Sequence, residues 1–171
     1  MNDQFLAQEF AVELKAEQSS TLKCLERIPP ELFGYKPHPK SMELGYLTLL
    51  VAEIPLWIAH IAKHPEIDLA TFPHNKAQTT QEVVDHFHNN MAQAAEALQA
   101  IQEGQLNEKF ELKSNGQVLY TSDKKEQITQ AINHMVHHRG QLTVYMRLND
   151  IAVPSIYGPS ADDKSFASKP Q

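Results

Sequence analysis

Four runs of apolar residues recur at helical spacing along this chain, each fenced by proline or glycine, and few folds accommodate that pattern. From Asp3 to about Glu26, Phe5, Leu6, Phe10, Leu14, Leu22 and Leu25 fall mostly on one face, and Pro29-Pro30 ends the run. Phe33 to Lys40 holds Gly34, Pro37 and Pro39 and reads as a connection. A second helix opens after Ser41 with Leu44, Leu47, Leu50, Val51, Ile54, Ile58 and Ile61 as its stripe, and it stops before Pro65. Pro55 lies inside it and crowds the Val51 carbonyl, which predicts a kink just beyond Leu50. The segment from Glu66 to Gln78 reads as a loop.

Thr79 with Glu82 is a capping-box signature for a third helix, with Val84, Phe87, Met91, Ala94, Leu98 and Ile101 facing the core and Gly104 closing it. Phe110 and Leu112, then Val118 and Tyr120, alternate around Asn115-Gly116, which predicts a small hairpin between Lys109 and Tyr120. Asp123 with Glu126 then caps a fourth helix reaching about Asn149, with Ile128, Ile132, Met135, Leu142 and Met146 as its stripe. The tail from Ile151 to Gln171, with Pro154, Gly158, Pro159 and Pro170, is expected to be irregular. The expected fold class is all-α: a four-helix bundle with crossover connections, a small hairpin before the last helix and an irregular tail.

The 171 residues suit a single domain spanning 1–171. A chain of that size buries roughly 70% of its unfolded surface and needs no staples. Cys24, the one cysteine, fits that view as a small helix-packing residue. With 15 Lys plus Arg against 21 Asp plus Glu, the net charge of −6 opposes a broad grip on nucleic acid. No apolar run is read as approaching the ~20 residues of a membrane span, and Met1 to Phe10 is too polar for a signal peptide. The expectation is a cytoplasmic protein without nucleic-acid or membrane partners. No Gly-rich phosphate loop, nucleophile elbow or HExxH motif is present.

Nine histidines make imidazole the natural centre of any chemistry. Residues i and i+4 on a helix lie ~40° apart, so two imidazoles at that spacing can share a partner. His60 with His64 and His134 with His138 satisfy this. His134 and His138 flank the core stripe while His137 points away from it toward solvent or a partner. Spacing alone leaves a hydrogen-bonded pair and a metal-ligand pair both open. For His60 and His64, in the last turns of their helix, the dipole offers a sufficient structural reason. His38 and His74 read as surface residues, and His86 and His88 face different sides of the third helix.

The run from His134 through His138, Arg139 and Gly140 to Arg147, followed by Val153-Pro154-Ser155-Ile156-Tyr157-Gly158-Pro159-Ser160-Ala161-Asp162, resembles the DinB-like metalloenzyme family. Weaker similarity extends upstream through Lys36 to Met42 and Val51 to Trp57. The resemblance implies a four-helix bundle, often a homodimer, with a divalent metal such as nickel or zinc held by three histidines. It also implies, for some relatives, transferases or isomerases that use a low-molecular-weight thiol such as bacillithiol, mycothiol or glutathione. Carried over, the helix-four ligands fall on His134 and His138. The third lies three residues before the Glu of the Ala-Glu-Ile-Pro stretch, where this chain has Leu50, which has no ligand atom. Glu53 is one turn further on, and Trp57 with Tyr46 is expected to hold the apolar part of a small-molecule substrate. The resemblance thus implies a metal-dependent thiol transferase with a metal site degenerate at Leu50. The alternatives are a metal-free small-molecule binder or a dimeric scaffold of the same fold.

Overall fold

The computed structural model describes residues 2–165; the rest of the expected tail, 166–171, lies outside the described residues. The chain runs α1 (Asp3–Leu25), α2 (Leu44–Lys63), β1 (Glu66–Asp68), α3 (Thr80–Gln99), β2 (Lys109–Ser114), β3 (Gln117–Asp123) and α4 (Lys124–Leu148), with short 3-10 turns at Pro30–Leu32 and Gln105–Asn107. α2 is central and packs on α3 and α4, while α1 lies along α3 and α4. Every residue of the stripes expected for α2, α3 and α4 is buried.

α2 is apolar almost all round, with Leu44, Leu47, Leu50, Val51, Ile54, Ile58 and Ile61 buried together with Ala52, Glu53 and Pro55. Its 20 residues average a hydropathy of 1.6 over their most apolar stretch, so it is long and apolar enough to cross a membrane. This corrects the reading that no run reaches that length. Most of the helix is nevertheless enclosed by its neighbours, as a core helix is.

α1 departs from its expected stripe. Phe5 is 53% exposed, and Asp3 is buried in its place. The reason is polar: the Asp3 carboxylate accepts the Leu106 N–H at 2.9 Å and so caps the turn after α3. Gly104 does not close α3, which ends at Gln99 with Ala100 as its cap. With φ of +91° Gly104 instead opens the turn at Gln105–Asn107. The Thr79–Glu82 capping box forms as expected. The one expected at α4 does not, because the Asp123 carboxylate takes Lys109 Nζ at 2.7 Å and leaves the helix N–H groups alone.

The all-α expectation needs one further correction. The hairpin is real, with Asn115 and Gly116 both at positive φ, as a two-residue turn between twisted strands requires. It belongs, however, to a three-stranded mixed sheet ordered β1-β2-β3. β1, in the segment expected to be loop, pairs parallel to β2 with Ile67 opposite Leu112. The Asp68 carboxylate fastens the hairpin turn by accepting the N–H groups of Asn115 at 3.0 Å and Gly116 at 2.7 Å.

Candidate functional site

α4 carries His134 and His138 one turn apart on the flank of its buried stripe, with ring centroids 4.4 Å apart. Their Nε2 atoms approach to 2.6 Å. On the far side of the second ring, His138 Nδ1 lies 2.7 Å from Gln141 Oε1. A carboxamide oxygen only accepts, so His138 carries its proton on Nδ1. The lone pair on its Nε2 then receives the Nε2–H of His134. His134 is held down to about 4, first by burial and then by the neighbouring His138 and His137. His138 is also lowered, again chiefly by burial, with the Gln141 bond acting in the opposite direction. The pair is therefore neutral near pH 7. His137 is exposed, as its position on the helix predicts.

Trp57 leans from α2 toward His134 with ring centroids 5.6 Å apart. Beside these two rings opens a cleft of about 420 Å³. Trp57 and Ile61 of α2 form one wall, and Gln127, Gln130, Ala131 and His134 of α4 the other. Ile67 and Leu69 at β1, with Phe110 and Leu112 of β2, close the base. The sheet is thus a wall of the cleft; the Phe110/Leu112 alternation was the sequence signal for it. An apolar cleft with a few convergent polar groups suits a small-molecule ligand.

Leu50 and Glu53 do not line this cleft. With Tyr46, Leu49, His74 and Asn75 they line a separate void of about 20 Å³. Tyr46 is 51% exposed and takes no part in the larger cleft. Glu53 is 2% exposed and both carboxylate oxygens are engaged. Oε2 lies 3.0 Å from His74 Nδ1, and Oε1 accepts the Asn75 N–H at 2.6 Å. His86 Nε2, from α3, is 3.7 Å from Oε1 and has no hydrogen-bond partner among the described residues. Sequence reasoning missed His74, His86 and Gln141. Only Gln141, on the same helical face three residues after His138, left a local signal.

The second spaced pair has a structural role. His60 and His64 stack at 4.2 Å, and His60 Nε2 lies 2.8 Å from the Glu66 carbonyl, to which it donates. Burial holds the His60 imidazole below its ordinary value.

A catalytic zinc or nickel centre normally takes three protein ligands. The α4 pair offers two nitrogens, with the Gln141 contact orienting one of them as ligand-supporting contacts do. Leu50 supplies nothing, and Glu53 is committed to residues 74–75, with His86 of α3 beside it. Among the described residues no group of three or more His, Cys, Asp or Glu side chains is arranged to hold a metal ion. The donor set does not fit a three-ligand centre.

Residues 1–169 match the family model described as DinB family. A 32-residue stretch is 53% identical to the uncharacterized protein YrdA of Bacillus subtilis (strain 168), covering 19% of each chain; the match thus spans about a fifth of that relative's length. Among solved structures, a DinB-like protein from Bacillus cereus ATCC 10987 superposes with a TM-score of 0.67 at 24% identity, over 88% of this chain and 97% of that one. A second DinB-like protein, YjoA from Bacillus subtilis, gives a TM-score of 0.65 at 18% identity, over 83% and 92%. At these identities the likeness is one of fold.

Proposed function

The chain belongs to the DinB family, and from that premise we propose that it binds an apolar small molecule in the Trp57–His134 cleft without a resident metal. The observation that supports this is the direct 2.6 Å hydrogen bond that joins His138 to His134, a residue lining a mostly apolar cleft. Two nitrogens on one tetrahedral zinc, at ~2.0–2.1 Å each, stand roughly 3.3 Å apart. A metal would have to break the pair open and find a third ligand that neither Leu50 nor Glu53 offers.

In this reading Ile61, Ile67, Phe110 and Leu112 exclude water and hold the apolar body of the ligand. Gln130 and the neutral His134 sit at the polar end, where they can take or give a hydrogen bond. The second reading, a nickel- or zinc-dependent transferase using a low-molecular-weight thiol, is favoured by the Gln141–His138 bond alone.

Two measurements test the proposal. Trp57 is the single tryptophan of the chain and lines the cleft, so its fluorescence reports ligand entry directly. Titration with anilinonaphthalene sulfonate is expected to quench it saturably, and Ala131→Phe, which fills the cleft, is expected to abolish the effect. Metal analysis of protein purified without chelator or affinity tag is expected to give less than about a tenth of an equivalent of any transition metal, short of the one-to-one occupancy a resident centre would show. Stoichiometric metal, or dye binding indifferent to Ala131→Phe, overturns the proposal.

A further inference from the structure

We infer that residues 69–75 form a strap covering Trp57 at the edge of the cleft and that Glu53 is the positioning residue that holds it shut; the inference rests on the binding role proposed above.

The strap is fastened to the sheet at Leu69 and turns back once at Phe72. Leu69 N–H donates to the Lys113 carbonyl at 2.9 Å, and Phe72 N–H to the Asp68 carbonyl at 2.8 Å. Leu69 then lines the cleft. Phe72 sets its ring edge-on against Trp57, at 6.3 Å and 84°, and against His60, at 5.3 Å and 86°. It thus covers the face of α2 from which Trp57 enters the cleft.

Beyond Phe72 the tether changes character. From Pro73 to Ala77 the hydrogen bonds found among the described residues, His74 Nδ1 and Asn75 N–H, both end on Glu53. Pro73, His74, Asn75 and Lys76 are exposed, so little apolar burial holds this stretch down. Glu53 itself occupies a core position of α2, where a carboxylate costs stability that an apolar residue would not. A carboxylate there does what an apolar side chain cannot: it accepts from two groups of the strap at once. Hydrogen bonds at an exposed strap also exchange readily with water, whereas the Leu69 end stays in the sheet. The strap is built to swing about Leu69 when the Glu53 contacts and the Phe72–Asp68 turn open together, taking the Phe72 ring off Trp57.

The experiment reads the strap without requiring any ligand. Acrylamide quenching of Trp57 fluorescence is compared between the parent protein, His74→Ala and Glu53→Met. His74 is on the surface, so its variant folds; Glu53→Met keeps the volume of the core position, and far-ultraviolet circular dichroism checks both. The expected result is a rise in the quenching constant of roughly twofold or more in both variants as local opening becomes more populated. Stopped-flow binding of anilinonaphthalene sulfonate is expected to show dissociation accelerated by about tenfold, with association also faster, because an opened strap lowers the barrier in both directions. Quenching unchanged in folded His74→Ala and Glu53→Met overturns the inference. A rise in quenching with no dye binding in any protein keeps the strap and removes the proposed function.

Discussion

His134 Nε2 and His138 Nε2 stand 2.6 Å apart, and Gln141 Oε1 completes the chain at His138 Nδ1. Both imidazoles are neutral in this geometry, and burial first, then His138 and His137, opposes adding a proton to His134. His134 is lowered from 6.5 to about 4 in the folded protein. The unfolded chain therefore takes up the proton first on acidification. Stability is fully present above pH 6.5 and is lost as pH falls toward 4, below which the loss levels off. Discounted for solvent screening at a half-buried ring, the loss is on the order of 1–2 kcal/mol. Thermal melts at pH 7.5 and 4.5 should show the parent losing several degrees more than His134→Gln, about 2–4 °C per kcal/mol in a chain of this size. A His134 ring that titrates near 6.5 by nuclear magnetic resonance contradicts the prediction.

Leu50 stands where the family resemblance puts a third ligand, and it is 6% exposed among apolar neighbours. Leu50→His is expected to strengthen zinc or nickel binding by on the order of 100-fold over the parent, since completing a three-ligand set outweighs any adjustment around two. Competition with a chromophoric chelator measures both proteins. Equal affinities would mean that a side chain at position 50 does not reach the α4 pair.

The helices were legible because apolar residues at 3.6-residue spacing report burial locally, and the same angular argument placed His134, His138 and exposed His137. What lay beyond the sequence depended on distant partners. β1 is three residues long, too short for an alternation to register, and it owes its existence to pairing with residues 111–113. Glu53 finds His74 and His86 across 21 and 33 positions, a meeting fixed by how α2 and α3 pack. At Asp123 the capping pattern was present but Lys109, brought alongside by the hairpin, took the carboxylate.

Gly45 is the second residue of α2, and its N–H donates to the Phe33 carbonyl at 2.8 Å. A Cβ added there would meet Phe33 Cβ at 2.7 Å and its Cα at 3.2 Å. Backbone at that distance cannot step aside as a side-chain end could. Gly45→Ala is expected to cost about 1–3 kcal/mol by overpacking, against the usual gain of Ala over Gly in a helix. Urea denaturation gives the value; a variant as stable as the parent would show that the 30–33 turn can shift freely.

Arg139 is 1% exposed and ties three segments together. Its Nη1 meets Glu17 Oε2 at 2.6 Å and donates to Thr21 Oγ1 at 3.0 Å on α1, while Nη2 donates to the Tyr157 hydroxyl at 2.7 Å in the tail. The Tyr157 hydroxyl donates in turn to Glu17 Oε2 at 2.8 Å. Arg139→Met removes the cation and strands a carboxylate that is itself largely enclosed, so the expected loss is about 3–5 kcal/mol. The double variant Arg139→Met with Glu17→Met no longer buries an unpaired charge and is expected to recover a large part of that loss. The cycle separates the two costs, because a contribution from packing alone would add across the pair. The same network holds the tail against α1 and α4. In Arg139→Met, limited proteolysis is accordingly expected to cut between residues 151 and 165 under conditions that leave the parent whole. Additive losses with an uncut tail would assign the stability of this corner to its apolar contacts instead.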